Sequence, residues 1–462
     1  MSEILIPGGA SGAGSDDCTA TAADVIKGKT AVVSGSDDEP IAGTLDLSGN
    51  ATTAYVYTGK TFYNTDPKAK LTGAMTVNSL LSFSVAAYSG RRVLAKWQNP
   101  KAATGKPYSG VYIRYSTSGN PGKTGGTQIY KGAGNNTASG GQSQAYLNLP
   151  ALSTKYYLSI YPYVTCSAGE MNGSTLNASV TTSAVLNKTF TASTSYTIPV
   201  GFAKMDLFAV GGGSAGSSSN NNERGGSGGG GGYTKTVKGI AISSGQVLTI
   251  SVGSGGVGST GYKKDSFTSK FIGGVGGTSS VTRSGTELIS AVGGTNNSAD
   301  GKIAGGPEYG KSGGSGGGGG SSVKVDNEDA VYNGLYGGGG GSDGSDGKPT
   351  TYGYSWGTVA TGRAGLGQKV TTSAFGESSG ALYGSGGGGC IATYNYREDS
   401  IWIGNNKGGP GAGEGGTLYY STPSEHSKGK NANANSGGGG GGGAYLKVGG
   451  NGGSGIVLIR LY

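Results

Sequence analysis

The sequence predicts a mainly β protein in three parts, residues 1–81, 82–183 and 184–462, the last of them built on threefold helices of glycine. Three observations predict it. Of the 100 glycines in the 462-residue chain, 77 lie at or after Gly201. They gather in runs, among them Gly228–Gly232, Gly316–Gly320, Gly337–Gly341, Gly386–Gly389 and Gly437–Gly443. Upstream of them, a stretch of about 100 residues shows the short alternating segments and turn residues of β-strands.

The first part holds an internal repeat. Ala23-Asp24-Val25-Ile26-Lys27-Gly28-Lys29-Thr30 is echoed by Ala54-Tyr55-Val56-Tyr57-Thr58-Gly59-Lys60-Thr61, and each leads through a turn-rich stretch to Ile41-Ala42-Gly43-Thr44-Leu45 or Leu71-Thr72-Gly73-Ala74-Met75. Each unit reads as a short helix or strand, a corner at glycine and a small hairpin. Two such units carry few large apolar residues for a core of their own. They are expected to meet copies in other chains as an oligomeric, trimeric attachment module; a flexible tether is the competing reading.

Residues 82–183 alternate as in a β-sandwich. Val93–Trp97, Val111–Tyr115, Gln128–Tyr130, Ala145–Leu149 and Tyr157–Tyr161 are the expected strands, separated by Gly, Pro and Asn turns. With Trp97 on the second strand and Leu152 preceding Thr154-Lys155-Tyr156, this part resembles the fibronectin type III fold. The resemblance implies that Trp97 anchors the core, Tyr156 is the corner tyrosine, and Leu158 and Ile160 point inward. A spacer or a carbohydrate-contacting module is the expected role.

In the third part, glycine at such density usually means linker or disorder, because ordering it costs the most backbone entropy and buries no side chain. The segments between the runs differ from one another, however, and carry Ile391, Ile401, Trp402 and Ile403. An ordered alternative is a glycine run in the polyproline II conformation, a threefold helix without internal hydrogen bonds. Such helices lack Cβ atoms, so they can pack side by side and satisfy one another's N–H and C=O groups. The Gly-X-Y period of collagen is absent. A run of seven or eight residues would span about 22 to 25 Å, with the intervening segments emerging as loops at the ends of a slab.

Composition narrows the functions. Mean hydropathy is −0.26, and no apolar run reaches the ~18 residues of a membrane helix. MSEILIPGGASGAG has no basic segment or apolar core of signal-peptide length, which predicts a chain that stays in the cytoplasm until carried out by other means. Cys18, Cys166 and Cys390 are far apart and unpatterned, which excludes a disulfide framework and zinc spacing. The net charge of +9 is scattered and does not form a nucleic-acid-binding block. Gly305–Ser312 fits GxxxxGKS, but a polar stretch precedes it and a glycine run follows it, where a phosphate loop needs a strand and a helix. His426 is the sole histidine, so a histidine triad or histidine metal site is not expected. Asp326, Glu328, Asp329, Glu377, Glu398 and Asp399 read as solvated loop charge; a glycosidase pair among them is the enzymatic alternative. No catalytic residue, cofactor or metal is expected.

Lys188-Thr189-Phe190, Tyr196–Phe202 and Lys204–Gly213 resemble the opening of the glycine-rich domain at the C-terminus of many bacteriophage tail-fibre proteins. The likeness continues through Gly228–Tyr233 and Val247–Gly253 to the closing Gly452–Leu461. The glycine lattice is similar to the polyglycine sandwich of T-even phage tip adhesins. It implies a mainly β fold with polyglycine II helices and a receptor-binding protein of a virion tail fibre or tail tip, made in the host cytoplasm. Its partners would be a bacterial surface glycan or protein, other tail or baseplate proteins through the N-terminus, and its own copies. A structural glycine-rich protein of virion or matrix is the rival reading. Receptor contacts are expected in the segments between late runs, at Tyr332, Tyr336, Tyr352, Tyr354, Trp356, Tyr394, Tyr396, Arg397, Trp402, Tyr419, Tyr420 and His426. Tyr and Trp give large contact area with few rotors and a polar handle.

Overall fold

A computed structural model describes residues 14–46, 48–66, 68–166, 169–218, 225–259, 272–295, 321–326, 329–334, 372–377, 382–396, 399–403, 407–419 and 423–462. Among them are β-strands and single 3-10 turns, and no α-helix. The chain divides into two compact units. The first comprises the described residues up to Tyr88 together with those of Val93–Leu149 and Thr154–Thr182, and the second takes Ser89–Arg92, Pro150–Ser153 and the described residues from Ser183 onward.

At the start of the first unit, two stretches make the same backbone hydrogen bonds. Gly43, Thr44 and Leu45 donate to the carbonyls of Lys29, Ala22 and Val25, and Gly73, Ala74 and Met75 donate to those of Lys60, Thr53 and Val56. Gly28 (φ +87°) and Gly59 (φ +80°) make the corners in the left-handed region, which glycine enters without steric cost. In each copy a two-residue antiparallel pair follows, Thr30–Ala31 with Ile41–Ala42 and Thr61–Phe62 with Leu71–Thr72.

The rest of this unit forms two antiparallel sheets. One holds Gly110–Ser116, Thr127–Gly132, Lys155–Cys166, Gly169–Asn172 and Leu176–Thr181, and the other Ser82–Ser89, Arg92–Gln98 and Gln142–Asn148. Their period-two alternation turns one set of side chains inward. Val93, Ala95 and Trp97 of one sheet share a core with Val111, Ile113, Tyr156, Leu158 and Ile160 of the other. Trp97, Leu158 and Ile160 are completely buried, and Tyr156 is almost so.

The second unit also begins from two sheets. Leu186–Phe190, Ile456–Leu461, Lys204–Val210 and Thr234–Ala241 form one, in that order; Thr194–Thr197, Val247–Ser251, Ser279–Arg283 and Thr286–Ala291 form the other. Met205, Leu207, Ala209, Val457, Ile459 and Leu461 pack against Leu248, Ile250, Val281 and Ile289 across the layer between them. On its opposite face the first sheet places Phe208, Val210, Ile456 and Leu458 against Phe375 and Tyr383. Burial on both faces explains the nearly continuous apolar runs MDLFAV and IVLIRL, which a half-exposed strand would break by alternation.

Six of these strands run directly into glycine-rich segments. Lys204–Val210 leads into run 211–218, Val247–Ser251 into run 253–259 and Thr286–Ala291 into run 292–295, while runs 225–233, 272–278 and 447–455 lead into Thr234–Ala241, Ser279–Arg283 and Ile456–Leu461. The hydrogen bonds of these runs repeat every three residues. Gly211, Ser214 and Ser217 donate to the carbonyls of Tyr233, Gly230 and Ser227; Gly212 and Ala215 donate to Gly277 and Gly274; Gly213 and Gly216 donate to Gly453 and Gly450. One segment thus bonds in three directions in turn, the pattern of an extended threefold helix.

Run 436–444 shows the lattice complete. Gly439 and Gly442 donate to Ser385 and Gly388, Gly440 and Gly443 to Ser214 and Ser217, and Gly441 to Lys430. In return its carbonyls accept from Gly226, Gly229 and Gly232, from Gly450 and Gly453, and from Gly413 and Gly416. Six other runs therefore surround it, each bonded to it. Buried N–H and C=O groups that a sheet would satisfy on two sides are here satisfied on six.

Candidate functional site

The lattice has two unlike ends. At one end the six strands enter it, and Phe375 and Tyr383, which lie in the segment 342–383 between glycine runs, pack on Phe208 there. Tyr383 donates its hydroxyl to Glu377 Oε1 at 2.6 Å, and burial together with that carboxylate pushes the phenol pKa up. Both aromatics therefore belong to the core.

At the other end run 384–390 leads into Ile391–Tyr396 and run 407–416 into Thr417–Tyr419, and run 436–444 finishes in the turn Ala444–Lys447. Ile391–Tyr396 pairs antiparallel with Asp399–Ile403 and parallel with Thr417–Tyr419, making a three-stranded sheet. In its register Thr393 stands opposite Trp402 on one side and Tyr419 on the other. Tyr394 stands opposite Ile401, and Tyr396 opposite Asp399. A second hairpin, Ser321–Asp326 with Asp329–Gly334, pairs Tyr332 with Val323. Four of the sequence-predicted positions, Tyr394, Tyr396, Trp402 and Tyr419, thus meet in one small sheet that extends from parallel glycine runs. Tyr336, Tyr352, Tyr354, Trp356, Arg397 and Tyr420 lie outside the described residues, as does the GxxxxGKS pattern at Gly305–Ser312.

His426 is placed differently from the expectation of a surface contact, since its ring is buried. Its Nδ1 accepts the Tyr419 N–H at 3.2 Å, its Nε2 has no partner among the described residues, and the Tyr445 ring stands edge-on to it at 6.0 Å. The imidazole therefore ties Thr417–Tyr419 to the lattice from beneath. Burial, helped by the nearby Lys447 cation, lowers its pKa from the ordinary 6.5. The unfolded chain then takes up the proton first, so stability is lost as pH falls below that ordinary value. In His426→Asn, which keeps an acceptor for the Tyr419 N–H, the decline in melting temperature between roughly pH 7 and 5 should be shallower than in the wild type. Parallel declines in the two proteins would remove His426 as the cause.

Leu446, missed in the sequence, lies at this end. It is exposed and adopts φ +55° in the turn where Lys447 donates to the Ala444 carbonyl. A left-handed leucine is disfavoured on steric grounds, and only the break between glycine runs signalled a turn at this point.

Among the described residues no group of three or more His, Cys, Asp or Glu side chains is arranged to hold a metal. No helix among them is long and apolar enough to cross a membrane. Cys390 is buried at the end of its run, and burial raises its thiol pKa. A search of curated proteins finds no match. The family described as glycine-rich domain matches residues 188–462, more than half of the chain, and the chain belongs to that family.

Proposed function

We infer that this protein is a receptor-binding adhesin of a bacteriophage tail fibre or tail tip, which recognises a bacterial surface glycan or protein through aromatic segments carried on a polyglycine lattice. The observation that supports the reading most directly is the asymmetry of the lattice. One end is fused to a two-sheet core, and the other carries the sheet containing positions 394, 396, 402 and 419. A support stitched by backbone hydrogen bonds holds these segments in place, which lowers the ordering cost of binding. Because the lattice contributes few side chains, the displayed segments can change without repacking a core.

In this reading the lattice is a polyglycine sandwich of the tip-adhesin kind. The two sheets around Trp97 and Tyr156 form a fibronectin type III-like sandwich acting as a spacer, and the repeated N-terminal stretches attach a trimer to other tail or baseplate proteins. Several copies on one virion would turn modest single contacts into avidity.

The test is binding of the full chain to a panel of bacterial strains, beside a variant with Trp356, Tyr394, Tyr396 and Tyr420 changed to alanine. The expected result is strain-selective binding that falls at least about tenfold in a variant of unchanged melting temperature, since a single hot-spot Trp or Tyr costs about 2 kcal/mol or more when truncated. Selective binding that survives all four substitutions would overturn the placement of the receptor site on these segments.

A further inference from the structure

Run 447–455 is bonded by backbone to its neighbours 253–259 and 428–433, and at one end side chains of those neighbours take over the bonding. The Gly449 N–H donates to Ser259 Oγ at 3.0 Å and the Asn451 N–H to Asn431 Oδ1 at 2.8 Å, while Asn451 Oδ1 accepts the Gly258 N–H at 2.7 Å. Around these groups lies a cleft of about 740 Å³ whose lining includes Ser259, Lys428, Lys430, Asn431, Val448 and Asn451.

The capping bonds fix the chemistry of the cleft. A backbone N–H can donate only to the oxygen of a carboxamide, so both asparagine oxygens are committed to the lattice and both Nδ2 groups are left as donors. Neither Nδ2 has a partner among the described residues, and neither does the Lys428 ammonium. Lys430 is held by Glu414 at 2.7 Å in an exposed pair, an interaction weak enough to be exchanged for a ligand. Two neutral donors and two cations therefore line one wall system, Val448 adds a half-buried apolar patch, and Glu414 is the neighbouring carboxylate.

We propose that this cleft binds an acidic glycan, with uronic-acid carboxylates and ring hydroxyls accepting from Lys428, Lys430, Asn431 and Asn451 and a sugar face resting on Val448. Charge-assisted bonds of this kind are the stronger ones. The proposal goes beyond the aromatic receptor surface and uses none of its residues, so either can fail alone.

Calorimetric titration of the full chain with tetragalacturonate, beside the neutral maltotetraose, tests it. Asn431→Asp and Asn451→Asp keep the capping oxygen and replace the free donor by negative charge, and Lys428→Ala removes a cation that holds no other residue. Tetragalacturonate should bind the wild type and maltotetraose should not, and each variant should weaken binding by roughly tenfold at unchanged melting temperature, as expected for one lost charge-assisted bond. Absence of tetragalacturonate binding, equal binding of both sugars, or full affinity in Lys428→Ala would overturn the proposal. The four-alanine variant at the aromatic segments should bind tetragalacturonate like the wild type.

Discussion

Gly440→Ala should unfold well below the wild type, although the usual rule points the other way. Where the backbone conformation suits alanine, replacing glycine stabilises by about 0.4 to 1 kcal/mol, because the unfolded chain loses freedom. In run 436–444 that gain is opposed by a clash. A Cβ at Gly440 would fall on the Gly450 carbonyl oxygen, well inside the 3.0 Å that real Cβ contacts respect, and the obstacle is backbone held in the lattice. Overpacking of a tight interior costs about 1 to 3 kcal/mol when side chains can move aside. Backbone carbonyls bonded on several sides cannot, which puts Gly440→Ala at about 3 kcal/mol or beyond, or roughly 6 to 12 °C in a domain of this size. Gly441→Ala, whose Cβ would meet the Glu414 carbonyl, should behave alike. Val257→Ala, at a position 70% exposed on the boundary run 253–259, should change stability by no more than about 0.5 kcal/mol. Thermal unfolding decides: a Gly440→Ala protein melting with the wild type would mean that the runs do not pack as a closed lattice.

The lattice was legible in kind because glycine density, combined with differing apolar segments, left few ordered alternatives to packed threefold helices. Its direction was not legible. Which run neighbours which depends on hydrogen bonds between residues as distant as Gly213 and Gly453, and nothing local in a run of identical residues encodes a partner. Nor did composition mark where a Cβ is tolerated: Ser214 and Ala215 are fully buried inside run 211–218, whereas a Cβ at Gly213 or Gly216 would strike the carbonyls of Gly438 and Gly441. At the candidate site, Tyr394, Tyr396, Trp402 and Tyr419 were singled out by their chemistry, and the sheet that gathers them required the parallel pairing of two segments separated by a glycine run. Sequence reasoning treated His426 as a loop contact because it lies between runs, and it did not mark Phe375 or Tyr383 as core. They are buried because the chain returns to its core there, a tertiary fact with no periodic signature. The capping roles of Ser259, Asn431 and Asn451 were invisible for the same reason, since a side chain that bonds a neighbouring run looks like any polar loop residue.

Asp206→Ala should be the most damaging single change outside the lattice. Asp206 is the charged residue inside the apolar strand Lys204–Val210 and is only 4% exposed. Its Oδ2 pairs with Arg460 at 3.3 Å, and its Oδ1 accepts from the Tyr462 hydroxyl at 3.1 Å and the Gly239 N–H at 2.8 Å. The last bond closes the register shift between Met205/Ile240 and Leu207/Val237, where Gly239 adopts φ +73° and the strand Thr234–Ala241 carries an extra residue. One carboxylate thus pins a β-bulge and ties down the two final strand partners. Removing one member of a buried ion pair costs about 3 to 5 kcal/mol because the other charge is left without compensation. The Arg460 side chain is 32% exposed, so partial hydration brings the expectation to the lower end, about 3 kcal/mol. Asp206→Asn, which keeps an acceptor for Gly239 but not the charge, should cost about half as much, in line with loss of a charge-assisted bond while the neutral ones persist. Adding Arg460→Leu to Asp206→Ala should recover part of the loss, because the uncompensated cation is then gone and the residues are coupled. Urea unfolding of the wild type, Asp206→Ala, Asp206→Asn, Arg460→Leu and the double variant separates the terms. If Asp206→Ala and Arg460→Leu add without interaction, the pair is not coupled, and the role of Asp206 reduces to its bonds with Gly239 and Tyr462.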